Sequence, residues 1–132
     1  AVYTGAPMAR LMIPRLGLDE VVVEGVGDAE LRAGPGHLPG SALPGEPGNA
    51  VISAHRDRHF RGLGELVVGD TVLTETLVGR VQWIVTKRTI VRRGAPALFA
   101  SAEPLLTLTT CWPIRVLGSA PERVLYEARR LS

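Results

Sequence analysis

The chain has one cysteine, Cys111, and one lysine, Lys87, in 132 residues. A lone thiol closes no internal disulfide, and a cysteine-rich zinc site is excluded. Six residues of the Phe, Trp and Tyr types and a net charge of +2 leave no basic stripe with interleaved aromatics, so no nucleic-acid partner is expected. No stretch approaches the roughly 18 apolar residues of a membrane span. The chain opens at Ala1 with neither an initiator methionine nor a signal-peptide pattern. The absence of an anchor here says little, and contact with a membrane is expected only through a segment outside this chain.

What the chain does have is punctuation. It carries 15 Gly and 10 Pro within a 45% hydrophobic composition, and its Val, Thr, Ile and Leu fall in short stretches. Such a chain reads as one folded domain, 1–132, with a loose lead-in over about residues 1–7. Strands are expected at Ala9–Ile13, stopped by Pro14, and around Val21–Val23. A helical turn at Asp28–Arg32 takes Asp28 as its N-cap and Gly34 just past its end. Further strands are expected at Asn49–Ala54, at Thr71–Leu77, and, after a tight turn at Gly79-Arg80, at Val81–Val91. The last two are Leu106–Cys111 and Glu122 to about Arg130. A loop over residues 92–104 has room for a single helical turn at Ala97–Ala100.

Residues 34–48 hold five Gly and four Pro in fifteen positions, which rules out a regular helix or a central strand. They are expected to wrap the surface in fixed turns. Seven or eight short strands without a long helix predict an antiparallel all-β barrel.

Three chemical groups stand at expected strand ends. Cys111 closes Leu106–Cys111, just before Trp112-Pro113 turns the chain out of the sheet. His55 follows Asn49–Ala54, and a strand end supplies the fixed geometry that acid–base work needs. Arg123 opens the last strand, where its fork of donors would suit a substrate carbonyl oxygen. Arg115, nearer Cys111 in sequence, is a rival. His59 is less constrained than His55, and His37 sits among turns where a structural role is expected. Weaker candidates are Thr110, beside the thiol, Trp112, as an aromatic wall for substrate, and Asp57, for orienting His55 or binding a second substrate.

Thr107-Leu108-Thr109-Thr110-Cys111 resembles the TLxTC motif of the sortases, bacterial cysteine transpeptidases. His55, in Ser53-Ala54-His55-Arg56-Asp57, falls where that family's catalytic histidine lies. Arg123, in Glu122-Arg123-Val124-Leu125-Tyr126, matches the arginine on the strand after the cysteine. The resemblance runs from about Ala9 to Ala128 and is nearest to the small class D or E-like enzymes or the proteobacterial sortases.

It implies a closed eight-stranded β-barrel. It also implies a protein substrate with an LPxTG-like C-terminal sorting signal, a thioacyl-enzyme on Cys111, and an amine acceptor on peptidoglycan or protein. The implied setting is the bacterial cell envelope, with the catalytic domain outside the cytoplasm. Some sortases use calcium, which takes several oxygen ligands. Here residues 92–104 offer only Glu103 and residues 34–48 only Glu46, so neither a metal nor a cofactor is expected. The same residues would serve a cysteine peptidase that releases its peptide to water. A non-catalytic peptide-binding barrel with an inert Cys111 is the other reading left open.

Overall fold

The computed structural model describes residues 3–54, 65–77, 79–92, 100–112 and 122–131, and for Asp28, Arg92, Cys111, Trp112 and Glu122 it describes the backbone alone. Eight strands follow in chain order: β1 (Pro7–Ile13), β2 (Leu18–Glu24), β3 (Gly36–His37), β4 (Gly48–Ser53), β5 (Thr71–Thr76), β6 (Gly79–Arg92), β7 (Pro104–Trp112) and β8 (Glu122–Arg130). They close into a barrel in the order β1-β2-β3-β4-β7-β8-β6-β5. One short helix, α1 (Asp28–Ala33), and a 3₁₀ turn (Pro14–Leu16) complete the described elements.

The first hairpin shows how local sequence sets the path. Pro14 lacks the N–H that would continue β1, and its fixed φ suits the first position of the 3₁₀ turn. Gly17 then adopts φ 66, a left-handed conformation open to glycine, and sends the chain back as β2. Period-2 alternation does the rest. Leu11, Ile13, Val22, Ala50, Ile52, Trp83, Val85, Leu106, Leu108, Val124, Tyr126 and Ala128 point into one buried cluster. The Trp83 indole N–H donates to Thr74 Oγ1 at 2.8 Å, so the largest core side chain leaves no polar atom unmet.

The structure departs from the expectations above in several places. The barrel is mixed, because β2 pairs β3 and β4 pairs β7 in parallel. The Gly- and Pro-rich stretch does not only wrap the surface. Gly36 and His37 form β3 and bridge β2 to β4, and both are buried. Glycine is required at position 36, where an added Cβ would lie 2.0 Å from the Gly25 carbonyl oxygen. Composition alone misses that use of glycine for close backbone approach.

The helix begins one residue earlier than expected. Gly27 is its N-cap, and the Glu30 carboxylate accepts the Gly27 N–H at 3.0 Å. A glutamate at the third helical position thus reaches back to the N-cap, as in one half of a capping box. Gly79 and Arg80 already belong to β6, paired with Thr76 and Glu75. Trp112 stays in the sheet opposite Glu122, so β7 runs one residue past the cysteine. The expected helical turn at Ala97–Ala100 falls mostly outside the described residues.

Candidate active site

Three strands bring the site's backbone together. β4 and β7 run parallel, with Ser53 registered on Thr109. Beyond Ser53, the Ala54 N–H donates to the Thr109 carbonyl at 3.2 Å. The Thr110 hydroxyl in turn donates to the Ala54 carbonyl at 3.0 Å. Ala54 is thereby held on both of its peptide groups, and His55 is the next residue in the chain. On the other side of β7, Cys111 pairs directly with Arg123 of β8. A thiol-bearing position, its arginine partner and the residue preceding the histidine thus share one end of the barrel wall.

His55, Asp57, His59 and Arg115 themselves lie outside the described residues. Of Trp112 only the backbone is described. Thr110 is described in full, and its hydroxyl proton is committed to Ala54, which gives it a clamping role between β4 and β7. Arg123 is half-buried, on the face of β8 opposite the core residues Val124 and Tyr126. Among the described residues its guanidinium has no hydrogen-bond or ion-pair partner.

The outer face of β4 and β7 is shielded and mixes polar residues with the buried Val51 and Leu105. Asn49, Ser53, Thr107 and Thr109 are each at most 9% exposed although they alternate with the core residues Ala50, Ile52, Leu106 and Leu108. Thr107 Oγ1 donates to Asn49 Oδ1 at 2.8 Å. Thr109 Oγ1 is buried and has no hydrogen-bond partner among the described residues. Sequence reasoning passes over Thr109 because it occupies the variable position of the TLxTC pattern. Its signal is a polar residue two positions before Cys111 in the same strand.

His37 has the structural role expected of it. It is 2% exposed, with Nδ1 2.5 Å from Glu24 Oε1 and Nε2 2.8 Å from the Ala42 carbonyl. Ser41 Oγ lies 3.0 Å from Nε2, donates to the Leu38 carbonyl at 2.7 Å, and accepts the Val51 N–H at 3.2 Å. Both ring nitrogens therefore face oxygen atoms of neighbouring groups. The knot ties the start of the Gly- and Pro-rich connection to β2 and β4.

A second tie sits at the 3₁₀ turn. Arg15 donates twice to Asp70 at 2.7 Å, and also to the Glu65 carbonyl. The Arg15 fork, with the Val67 N–H as a further donor, holds the Asp70 carboxyl below the usual carboxylate range.

A hollow of about 610 Å³ lined by Tyr3, Met8, Leu43, Glu75 and Leu77, among others, contains none of the candidate residues. Among the described residues no cluster of three His, Cys, Asp or Glu side chains is placed to hold a metal ion. None of their helices is long and apolar enough to cross a membrane.

The family model for the sortase domain matches residues 11–131. This chain belongs to the sortase family. It is 33% identical over 131 residues to sortase D of Bacillus subtilis (strain 168), covering 98% of this chain and 66% of that protein. The chain thus spans just under two thirds of that curated relative's length. Among solved structures it is similar to a Clostridium perfringens sortase D5 transpeptidase, with a TM-score of 0.91 and 25% identity, covering 100% of this chain and 83% of that one. The catalytic domain of B. anthracis SrtD matches with a TM-score of 0.83 and 32% identity, covering 100% and 92%. Sortases are cysteine transpeptidases of the bacterial cell envelope that act on proteins bearing sorting signals. The closed eight-stranded barrel of this chain is the sortase fold.

Proposed function

We propose that residues 1–132 form a single catalytic domain in which Cys111 is the nucleophile, His55 the acid–base and Arg123 the oxyanion donor. The observation that carries this reading is the register of β4, β7 and β8. It sets Cys111 opposite Arg123, and Thr110 holds the residue that precedes His55. The substrate is an extended, LPxTG-like sorting signal near the C-terminus of a protein.

The Cys111 thiolate attacks the carbonyl carbon of the residue before the cleaved bond. The electron pair moves onto that oxygen, where the Arg123 guanidinium stabilises it. The tetrahedral intermediate collapses to a thioester as the C–N bond breaks. His55 delivers a proton to the departing amine. An acceptor amine, on peptidoglycan or on another protein, then attacks the thioester, loses a proton to His55 and returns Cys111. At pH 7 an unperturbed thiol is only about 3% ionised and an unperturbed imidazole roughly a quarter protonated. The competent thiolate–imidazolium pair is then a minority species unless the site shifts either group. Trp112 lines the peptide groove in this reading, and Asp57 orients His55 or meets the acceptor. A membrane anchor, carried outside this chain, holds the domain on the outer side of the membrane.

Intact-mass spectrometry of the protein mixed with an LPxTG-type peptide, with and without an amine, tests the proposal. The expected result is a peptide adduct on Cys111 that the amine discharges to a ligated product and that Cys111→Ala does not form. An adduct lost equally fast to water identifies a peptidase instead. The absence of any adduct across a peptide library in a folded protein overturns the assignment of Cys111.

A further inference from the structure

The Gly- and Pro-rich connection contains a near copy of the pattern that the proposed reaction recognises. Leu38-Pro39-Gly40-Ser41-Ala42 offers Leu-Pro, one free position, a β-hydroxyl residue and a small residue. It differs from LPxTG by Ser in place of Thr and by Ala in place of Gly. The next unit, Leu43-Pro44-Gly45-Glu46, repeats Leu-Pro-Gly but puts a carboxylate where the hydroxyl stands. Of the two units, the first alone keeps the hydroxyl.

The fold ties this segment down at both residues of the Ser41–Ala42 bond. Leu38 to Ser41 form a β-turn, with Pro39 second and Gly40 third at φ 86. The Ser41 N–H donates to the Leu38 carbonyl at 3.1 Å, and the Leu38 N–H to the Val51 carbonyl at 2.9 Å. The Ala42 N–H donates to the Asn49 carbonyl at 3.1 Å. The Ser41 hydroxyl bonds the Leu38 carbonyl and the Val51 N–H, and His37 Nε2 lies 2.8 Å from the Ala42 carbonyl. Ala42 also packs against the core, while Pro39 and Gly40 at the tip of the turn are exposed. A thiol on another molecule reaches the Ser41 carbonyl carbon only after these bonds open. They break together or not at all, which makes that opening rare.

We infer that Leu38–Ala42 is a cryptic sorting signal, cut between Ser41 and Ala42 by a second copy of this chain when the His37 knot opens. The inference rests on the acyl-transfer reading given above. Cys111 of the attacking copy forms a thioester with the Ser41 carbonyl as the Ser41–Ala42 bond breaks, and a proton from its His55 leaves Ala42 as a free amine. An acceptor amine or water then releases residues 1–41 and restores the thiol. The cut separates β1, β2 and β3 from the five later strands, so a loosened copy is destroyed and a folded one spared. The knot thus keeps the enzyme from being its own substrate.

A recipient carrying Cys111→Ala cannot cut itself, so it isolates the substrate role when mixed with parent enzyme and a small primary amine. With its fold intact, this recipient is expected to survive. Adding His37→Ala to it is expected to speed cutting by about tenfold or more. The products are residues 42–132, with Ala42 as the new N-terminus, and residues 1–41 joined to the amine. Should the doubly substituted recipient fail to fold, its motif is fully exposed and the same products are expected. A free peptide of residues 36–46 is expected to be cut at the same bond. Its rate is expected to be about ten- to a hundredfold below that of an LPxTG-type peptide, for the methyl lost at Ser41 and the one gained at Ala42. Intact mass and N-terminal sequencing read each product.

If the LPxTG-type peptide is cut and the 36–46 peptide is not, the inference fails and the acyl-transfer reading stands. Cutting of the peptide without any cut at Ser41–Ala42 in the His37→Ala recipient, folded or unfolded, overturns it as well. A folded Cys111→Ala recipient cut as fast as the His37→Ala one overturns the protective role of the knot. When no peptide forms an adduct at Cys111, both readings fall together.

Discussion

The His37 knot and the β7 face carry comparable polar groups and treat them in opposite ways. At the knot, both ring nitrogens of His37 meet acceptors, and Ser41 both donates and accepts. At the β7 face, neither Thr109 Oγ1 nor the half-buried Arg123 guanidinium has a partner among the described residues. Satisfied groups stabilise a fold, whereas unsatisfied ones cost free energy until something binds them. Polarity at the knot therefore closes a loop onto the barrel, and in the proposed reading the Arg123 guanidinium beside Cys111 serves the substrate instead.

The sharpest test of that contrast is a pair of substitutions. Arg123→Ala is expected to lower kcat/KM by about 10²–10³ with little change in melting temperature, as for loss of an oxyanion donor. His37→Ala is expected to do the reverse. It leaves the Glu24 carboxylate and the Ala42 carbonyl without their imidazole partner and costs about 1–3 kcal/mol of stability, while activity per folded molecule changes little. Denaturant titration and steady-state kinetics on both variants would read this. If the two effects exchange places, the division between the regions collapses.

A smaller effect is expected inside the barrel. Thr74→Val strands the buried Trp83 N–H and is expected to cost about 1–3 kcal/mol in a urea titration, with kinetics unchanged.

The smallest effect is a pH dependence at the Arg15–Asp70 tie. The Asp70 carboxyl is held below its ordinary value, so its contribution to stability is present above the ordinary carboxylate range and is lost as pH falls through its lowered value. The melting-temperature gap between parent and Asp70→Asn is expected to be constant at neutral pH. Below about pH 4 it is expected to shrink. A gap that persists at pH 2 would mean that the ion pair contributes nothing.

Much of the fold is legible in the residues because strand alternation is a local property. Trp83 and Val85 in β6, the Pro14 stop after β1, and the short runs between Gly and Pro all mark elements without reference to partners. The parallel pairing of β4 with β7 is not legible, since no residue in either strand records which neighbour it will meet. β3 was hidden for a related reason. Gly36 reads as a turn residue, and only the Gly25 carbonyl pressed against its Cα shows why glycine stands there.

The site divides in the same way. Cys111 and Arg123 are visible as a motif and a strand opening, and the TLxTC pattern points to the family before any coordinates. Their direct pairing across β7 and β8, and the Thr110 bond to Ala54, depend on register, which is set by the whole sheet. Sequence by itself thus determined the strand elements, the family and the nucleophile candidate, because periodicity and side-chain chemistry belong to single residues and their near neighbours. Tertiary structure alone decided which hydroxyls are satisfied and which is left over. Thr107, Thr109 and Thr110 are the same residue type in adjoining positions, and only the strands beside them separate a brace, an orphan and a clamp.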